Sequence, residues 1–449
     1  MTVPLSVTIL AAGKGTRMRN GLAKVLHPLA GRSLIGHVLA IARAVHAGRV
    51  AVVMAPGMAE VEAEVRRELP EARIVLQEPQ QGTGHALMTA RAELPEAGTA
   101  LVLYGDTPLV TPETLAALIR AREEHEAAVA VLGFRPPETR GYGRLRFAGE
   151  RLVEIVEERH ADAALRRDGI CNSGVMAFDA ARLRALLAAL PLRAEKNEYY
   201  LTDVVALARE RDWACVAVEG PWQEGLGINS QAELATVARL FQERARARLL
   251  AEGVIMPAPE TVQLAADTMI EPGALIEPYV VFGPGVRVAA GAVVHSFSHL
   301  EGVAVATAAT VGPFARIRPG TVLEEGAKLG NFVEAKNARI GRRAKVGHLS
   351  YIGDASVGEA ANVGAGTITC NYDGFGKHRT EIGAGAFIGS NTALVAPVRV
   401  GRGAVVGAGS TIVRDVPEDA LALARARQDE HPGAAPRLRA RLKARKGQR

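Results

Sequence analysis

Directly behind the apolar run "VTIL" the chain reads "LAAGKGTRM", Leu10 to Met18, and a short loop later "AKVLH" with Lys24. A glycine-rich turn between a first strand and a helix lets backbone N–H groups wrap an anion, and the helix N-terminus adds its dipole. Lys14, Arg17 and Lys24 bring three cations to that edge. So much positive charge suits a triphosphate, in particular one whose pyrophosphate will leave. Two commoner loops are excluded by single residues. A Walker A loop needs Ser or Thr where Gly15 stands, and a dinucleotide fingerprint needs Gly where Met18 stands.

An acid closes a second apolar run, "ALVLYGD". Ligands of open α/β sheets collect beyond strand ends, and Asp106 there suits Mg²⁺, which takes oxygen donors and leaves places for water and phosphate. Far downstream, Arg318 and Lys336 each follow an inward position, Ile317 and Ala335, and stand one 18-residue coil apart. In a solenoid they stack at about 4.8 Å. Stacked cations repel unless an anion lies across them, and a sugar phosphate has the right size. Glu334, His348, Tyr351 and Asn362 lie close by. Histidine titrates where a base is useful, so His348 is the candidate base and Glu334 its expected orienting partner.

The elements that must position these groups come as two texts. Up to about residue 228, short apolar runs ("SVTIL", "AVVMA", "ALVLYGD", "AVAVLGF") alternate with amphipathic segments such as "LIGHVLAIARAV" and "TPETLAALIRAREE". That alternation predicts an open parallel α/β sheet, Rossmann-like in class, and Thr111 followed by Pro112 marks a helix start. Ser230 to Glu252 keeps the helical period for about six turns and reads as a connecting arm.

Beyond the arm the period becomes six. Ile270, Ile276, Phe282, Val288, Val294 and Leu300 are followed, after a one-residue slip, by the run Val305 to Ala335; after another slip come Ile340, Val346 and Ile352, and lastly Ile382 to Ile412. One aliphatic residue in six is not helical spacing. It predicts a parallel β-helix of hexapeptide repeats, about eight coils and about 40 Å tall at the strand spacing. The expected domains are 1–229, the arm 230–252, and 253–449 with a basic tail. The repeat breaks from about Thr369 to Thr380, the kind of excursion a solenoid makes at a working edge.

Composition narrows the class. The 449 residues are 48% hydrophobic and only 4% aromatic, too long a chain for one ordinary core. No apolar run reaches the roughly 18 residues of a membrane span, and the N-terminus lacks the basic flank and cleavage site of a secretory signal. A cytoplasmic location with no membrane partner is expected. Cys171, Cys215 and Cys370 form no CxxC pair that would mark zinc or redox work. Net charge is +6, but Arg437–Arg449 alone carries seven Lys or Arg and no acid, leaving the body near neutral. No aromatic residue interleaves those charges, and a nucleic-acid partner is not expected.

"LAAGKGTRM" followed by "KVLH" resembles the signature of sugar-phosphate nucleotidyltransferases. With "QGTGHA", "YGD", "GYGR", "IVEE", "CNSG", "NEYYLTD", "GIN", then "GNFVEAK", "GHLSYIGD" and "GAGTITCNYDG", essentially the whole chain resembles the bifunctional family that acetylates glucosamine-1-phosphate and uridylylates the product for cell-wall synthesis. The resemblance implies a left-handed β-helix, a homotrimer with the acetyl site where prisms meet, Mg²⁺ as cofactor, and UTP and acetyl-CoA as co-substrates. It assigns Leu10, Ala11, Ala12, Gly13, Gln77, Gly82 and Thr83 to the nucleotide, with uracil read largely by Gln77. Tyr104, Gly105, Gly141, Glu157 and Asn172 would hold the sugar, Arg17 and Lys24 the triphosphate charge, and Asn229 the metal beside Asp106. Arg318, Lys336, Tyr351 and Asn362 would bind glucosamine-1-phosphate, His348 would be the base, and Asn371, Tyr372, Ser390, Ala408 and Arg425 would bind acetyl-CoA.

Two residues depart from the family pattern: Asn197 stands where Gly is usual and Ala23 where Pro is usual. Two rival readings stay open at this point. One is a single-activity sugar nucleotidyltransferase with a structural or regulatory solenoid, against which Arg318, Lys336, His348 and "NYDG" weigh. The other is a non-catalytic assembly module, against which Lys14, Arg17, Lys24 and Asp106 weigh.

Overall fold

The computed structural model describes residues 4–446 apart from Lys14, so the phosphate role expected of Lys14 lies outside the described residues. Two compact units divide the chain, Met1–Ala245 and Arg246–Arg449.

In the first unit the strands run, across the sheet, Cys215–Glu219, Val129–Phe134, Cys171–Asp179, Thr99–Tyr104, Leu5–Leu10, Arg49–Met54 and Arg73–Leu76. Neighbours along one strand go to opposite cores: Leu101 and Leu103 join Val7 and Ile9 on one face, while Val102 joins Leu10 and Phe178 on the other. Burial on both faces is what helices on both sides demand. The sheet is not wholly parallel, which corrects the expectation from sequence. Cys171–Asp179 lies antiparallel between Thr99–Tyr104 and Val129–Phe134. An inward-facing apolar run reads the same in either direction, so its composition could not show this.

Helix starts follow local chemistry. Thr111 accepts a hydrogen bond from the Thr114 amide, with Pro112 in the first turn of Pro112–Glu124. The long helix is Gln231–Ala251. Within the first unit its Phe241 meets the ring of His37 edge-on at 5.5 Å, and His37 bonds the Leu29 carbonyl at 2.8 Å. Burial pushes the His37 imidazole down to about 4. Both departures from the family pattern fit their backbone: Asn197 takes φ 55, a left-handed value that Asn tolerates next best after Gly, and Ala23 takes φ −55, close to what proline would impose.

The second unit is a triangular column of two- to seven-residue parallel strands. The inward positions read from the sequence are all buried, from Ile270 to Ile412. Ala335 lies between Ile317 on one neighbouring coil and Ile352 on the other, in strand register. A one-residue slip missed in the sequence falls between Ile352 and Val357, both buried. One face carries nine stacked strands. At one corner Tyr279, Phe297, Phe314 and Phe332, all at positive φ, stack ring on ring with centroids 5.0, 4.9 and 5.2 Å apart. All four are exposed. The basic tail forms the helix Ala434–Lys446, which has no buried residue. No helix among the described residues is long and apolar enough to cross a membrane.

Candidate functional sites

A cavity of about 390 Å³ opens at the carboxyl ends of Leu5–Leu10 and Thr99–Tyr104. It brings together ten of the residues expected at the first active site: Leu10, Ala11, Ala12, Gly13, Gln77, Gly82 and Thr83 for the nucleotide, Lys24 for the triphosphate, Tyr104 for the sugar and Asp106 for the metal. Gly82 is required there on two counts. Its φ is +89, and a Cβ would fall 2.6 Å from the Tyr199 carbonyl oxygen.

The ammonium of Lys24 is paired with the carboxylate of Asp106 and donates to Asn229 Oδ1 at 3.2 Å. The two oxygen donors expected to hold a metal therefore converge on one cation supplied by the chain itself. Asn229 is set by its own amide, which donates to Glu233 at 2.6 Å, and by the neighbouring Ile228 amide, which donates to the Asp106 carbonyl at 3.0 Å. The Tyr104 phenol is pushed up by burial, and it bonds Thr83 with the charges of Asp106 and Glu157 near it.

Other expected residues stand outside this cavity. Gly105 is buried beneath it. Gly141 donates its amide to Glu158 at 2.8 Å, and Asn172 Oδ1 accepts from the Gly174 amide at 3.0 Å, its NH₂ having no partner among the described residues. Arg17 is exposed on the turn Thr16–Met18 and lines neither described cavity at this loop. Arg19, which the sequence reading passed over, lines a second cavity of about 930 Å³ that shares Ala12, Gly13, Gln77 and Gln80 with the first. Gln80 spans the shared wall, donating to the Ala12 carbonyl at 2.6 Å. Nothing in the motif spacing separates Arg17 from Arg19.

On the column, Arg318 donates its amide to the carbonyl of Ala335, the residue before Lys336, so the two cations occupy successive steps as their spacing requires. Glu334 does not orient His348. Its carboxylate accepts from Arg318 Nη1 at 2.9 Å, and His348 Nδ1 bonds Asn331 Oδ1 at 3.2 Å. Asn331 is stacked on His348 in strand register, a partnership that the coil period signals, whereas the preference for a carboxylate beside a histidine does not. Lys336 has no ion pair among the described residues.

Tyr351 follows in register with Glu334, and Asn362 with Lys345. Asn371, 5% exposed, reaches Asp354 and, at 3.5 Å, the Tyr351 hydroxyl. It starts the excursion 371–378, where Tyr372 lies under the Lys377 ammonium at 4.2 Å. Asp373 ties the loop by accepting from the Phe375 and Gly376 amides and from His378; those donors hold its carboxyl well below the usual range. Arg425 donates to the Ala408 carbonyl at 2.9 Å, and the Gly409 amide to the Ser390 carbonyl at 2.8 Å, which places these acetyl-CoA candidates on adjoining coils.

Two family models match the chain: a MobA-like NTP transferase domain over residues 7–197 and the six-repeat bacterial transferase hexapeptide over residues 379–414. Fold and sites together define a nucleotidyltransferase joined to a left-handed β-helix acyltransferase. Curated relatives run almost end to end with it. The protein called Bifunctional protein GlmU of Azorhizobium caulinodans is 54% identical, covering 97% of each chain. Those of Jannaschia sp. (strain CCS1) and Paracoccus denitrificans are each 52% identical, covering 98% and 99% of this chain and 97% and 99% of their own. The chain belongs to the bifunctional GlmU family.

Proposed function

We propose that the chain transfers an acetyl group from acetyl-CoA to glucosamine-1-phosphate and then a uridylyl group from UTP to the N-acetylglucosamine-1-phosphate so made, releasing pyrophosphate. The observation that carries this reading is that each compact unit holds its own set of converging polar groups, Lys24 with Asp106 and Asn229 in one and Arg318 with Glu334, near His348 with Asn331, in the other.

In uridylyl transfer the sugar phosphate oxygen attacks the α-phosphorus in line. It is already ionised, so no base is needed, and catalysis rests on positioning and charge neutralisation. Gly13, Gly82 and Thr83 hold the nucleotide, while Glu157, Asn172 and Gly141 hold the sugar. Lys24, with Arg17 at the loop, meets the triphosphate. Asp106 and Asn229 fit Mg²⁺, because both present hard oxygen donors that already share one cation. Bound there, Mg²⁺ would offset charge on the phosphates.

In acetyl transfer His348 acts through Nε2. With Asn331 Oδ1 as acceptor, Nδ1 carries the proton and Nε2 keeps its lone pair. Nε2 takes the proton from the amine as the N–C bond forms and the thioester C–S bond breaks, and the CoA sulfur leaves as thiolate. Lys336 and Arg318 receive the sugar phosphate, Tyr351 and Asn362 its hydroxyls, and Asn371, Tyr372, Ser390, Ala408 and Arg425 the acetyl-CoA. Domains 1–229, 230–252 and 253–449 divide these tasks. The exposed four-ring ladder supports association of columns into a homotrimer, since contiguous apolar surface of that kind seldom stays bare. The enzyme works in the cytoplasm.

The test is a paired assay of wild type, Asp106→Ala and His348→Ala. Each substitution abolishes one activity and spares the other; loss of both from either change would overturn the assignment of independent sites.

A further inference from the structure

Gln77 follows the strand Arg73–Leu76, is 3% exposed, and lines both cavities at the glycine-rich loop. Its side-chain NH₂ is fully engaged. One N–H donates to the Gly82 carbonyl at 3.0 Å, and the other reaches His85 Nδ1 at 3.3 Å. A carbonyl oxygen can only accept, so the amide cannot be turned the other way round without setting two acceptors face to face. His85 completes the lock if Nδ1 is the bare nitrogen and Nε2 carries the proton. Its ring is held by the helix Gly82–Thr89 and lies nearly parallel to Tyr199, centroids 6.1 Å apart and planes 25° apart. What Gln77 has left is Oε1, which has no partner among the described residues.

We propose that His85 is a positioning residue for base selection: by accepting from Gln77 Nε2 it fixes Oε1 as a lone acceptor at the nucleotide cavity, so the site takes a pyrimidine with a ring N3–H donor and rejects one without it. The inference rests on the reading that Gln77 faces the nucleobase. Uracil and thymine present N3–H to Oε1. Cytosine in the same pose sets the N3 lone pair against the Oε1 lone pairs, and N3-methyluracil sets a methyl group there. A missing donor opposite a buried, fixed acceptor discriminates far better than a difference in apolar contact. Gly82 thereby has a second task besides its left-handed turn, since its carbonyl is half of the lock. His85 itself lines neither of the two cavities.

The test compares kcat/KM for UTP, CTP and N3-methyl-UTP in the full chain, for wild type, His85→Phe and His85→Asn. Phe keeps a ring against Tyr199 but removes the acceptor; Asn restores an acceptor at about the reach of Nδ1. Wild type is expected to prefer UTP to both analogues by at least about 100-fold. His85→Phe is expected to cut that preference about tenfold or more, through loss of UTP turnover and gain with CTP as the freed amide turns, and His85→Asn to keep most of it. Equal losses with all three nucleotides in His85→Phe, or a preference unchanged by it, overturn the role of His85 while leaving Gln77 as the base reader. Wild type that accepts N3-methyl-UTP as well as UTP overturns the reading of Gln77 itself. Should His85→Phe not fold, His85→Asn decides, because a collapse of its preference to that of Gln77→Leu contradicts the rescue.

Discussion

The ammonium of Lys24 and the carboxylate of Asp106 form an ion pair across 82 residues of sequence, the one from the loop after the first strand and the other from the end of a central strand. Both side chains are largely shielded from water, 13% and 16% exposed. The lysine thus sits on the oxygens proposed above for a divalent cation, and on that proposal it exchanges Asp106 for phosphate when substrate binds.

Lys24→Met removes the competing cation at nearly constant length. Uridylyl transfer should fall about 100-fold or more, as when an electrostatic partner of the transition state is lost, while acetyl transfer is unchanged. Binding of Mn²⁺ to the nucleotide-free protein, read by its paramagnetic resonance signal, should tighten at the same time. Weaker Mn²⁺ binding in the variant would show that Lys24 supports the metal site and does not compete for it.

Asn331 Oδ1 lies 3.2 Å from Nδ1 of His348, and the base role proposed for Nε2 needs that bond to keep the proton on Nδ1. Asn331→Ala should lower kcat for acetyl transfer by about 10- to 100-fold, in the range of general-base effects, with KM for acetyl-CoA little changed. Asn331→Asp, which keeps the acceptor, should retain more activity than Ala. If the Ala and Asp variants matched wild type, the Nδ1 bond would have no part in the reaction.

Lys336 and Arg318 differ in their surroundings: Arg318 already has Glu334 at 2.9 Å, whereas Lys336 has no such pair among the described residues. Lys336→Met should therefore raise KM for glucosamine-1-phosphate more than Glu334→Gln does, and neither should alter KM for UTP. Steady-state kinetics of the two half-reactions separates these outcomes.

His37 gives the first unit a pH response. Its imidazole is held at about 4, below the ordinary 6.5, because burial disfavours the charged form. Between those values the unfolded chain binds a proton that the folded chain does not, so stability is full above pH 6.5 and declines as pH falls toward 4, by about 3 kcal/mol in all. Urea unfolding of the first unit followed from pH 7.5 to 4.5 should show the decline, and His37→Gln, which can still donate to the Leu29 carbonyl, should flatten it. An unchanged slope in the variant would place the response elsewhere.

How much of this could be read beforehand depended on whether the signal was periodic. One buried aliphatic in six fixes the column, because every sixth residue must point inward whatever its neighbours do, and Ile276, Val294, Val311 and Leu329 all do so. The glycine-rich loop and Asp106 were legible because their chemistry is local to a strand end. Direction of a buried strand was not, as Cys171–Asp179 shows, since hydrophobic content carries no polarity. Partnerships were legible least. Lys24 and Asp106 were each assigned to a ligand, yet in the chain they hold one another; Glu334 looked like the natural support for a histidine, yet the arginine one coil below claims it. Pairing of charges is decided by which side chains the folded backbone brings within reach, and only coil arithmetic, as with Asn331 and His348, gives advance notice of that.

The excursion 371–378 leaves the column after Ile368–Cys370 and rejoins it at Thr380–Ile382, while Thr369 stays opposite Leu394 and Thr380 opposite Val398, as though nothing had been inserted. Tiers above and below are thus blind to what protrudes between them. A lineage can lengthen, shorten or rewrite the exposed part of that protrusion beyond Asn371 without shifting the register of the scaffold, which makes this corner the natural place for divergence and, on the proposed role of Asn371 and Tyr372, for grafting new acyl donors.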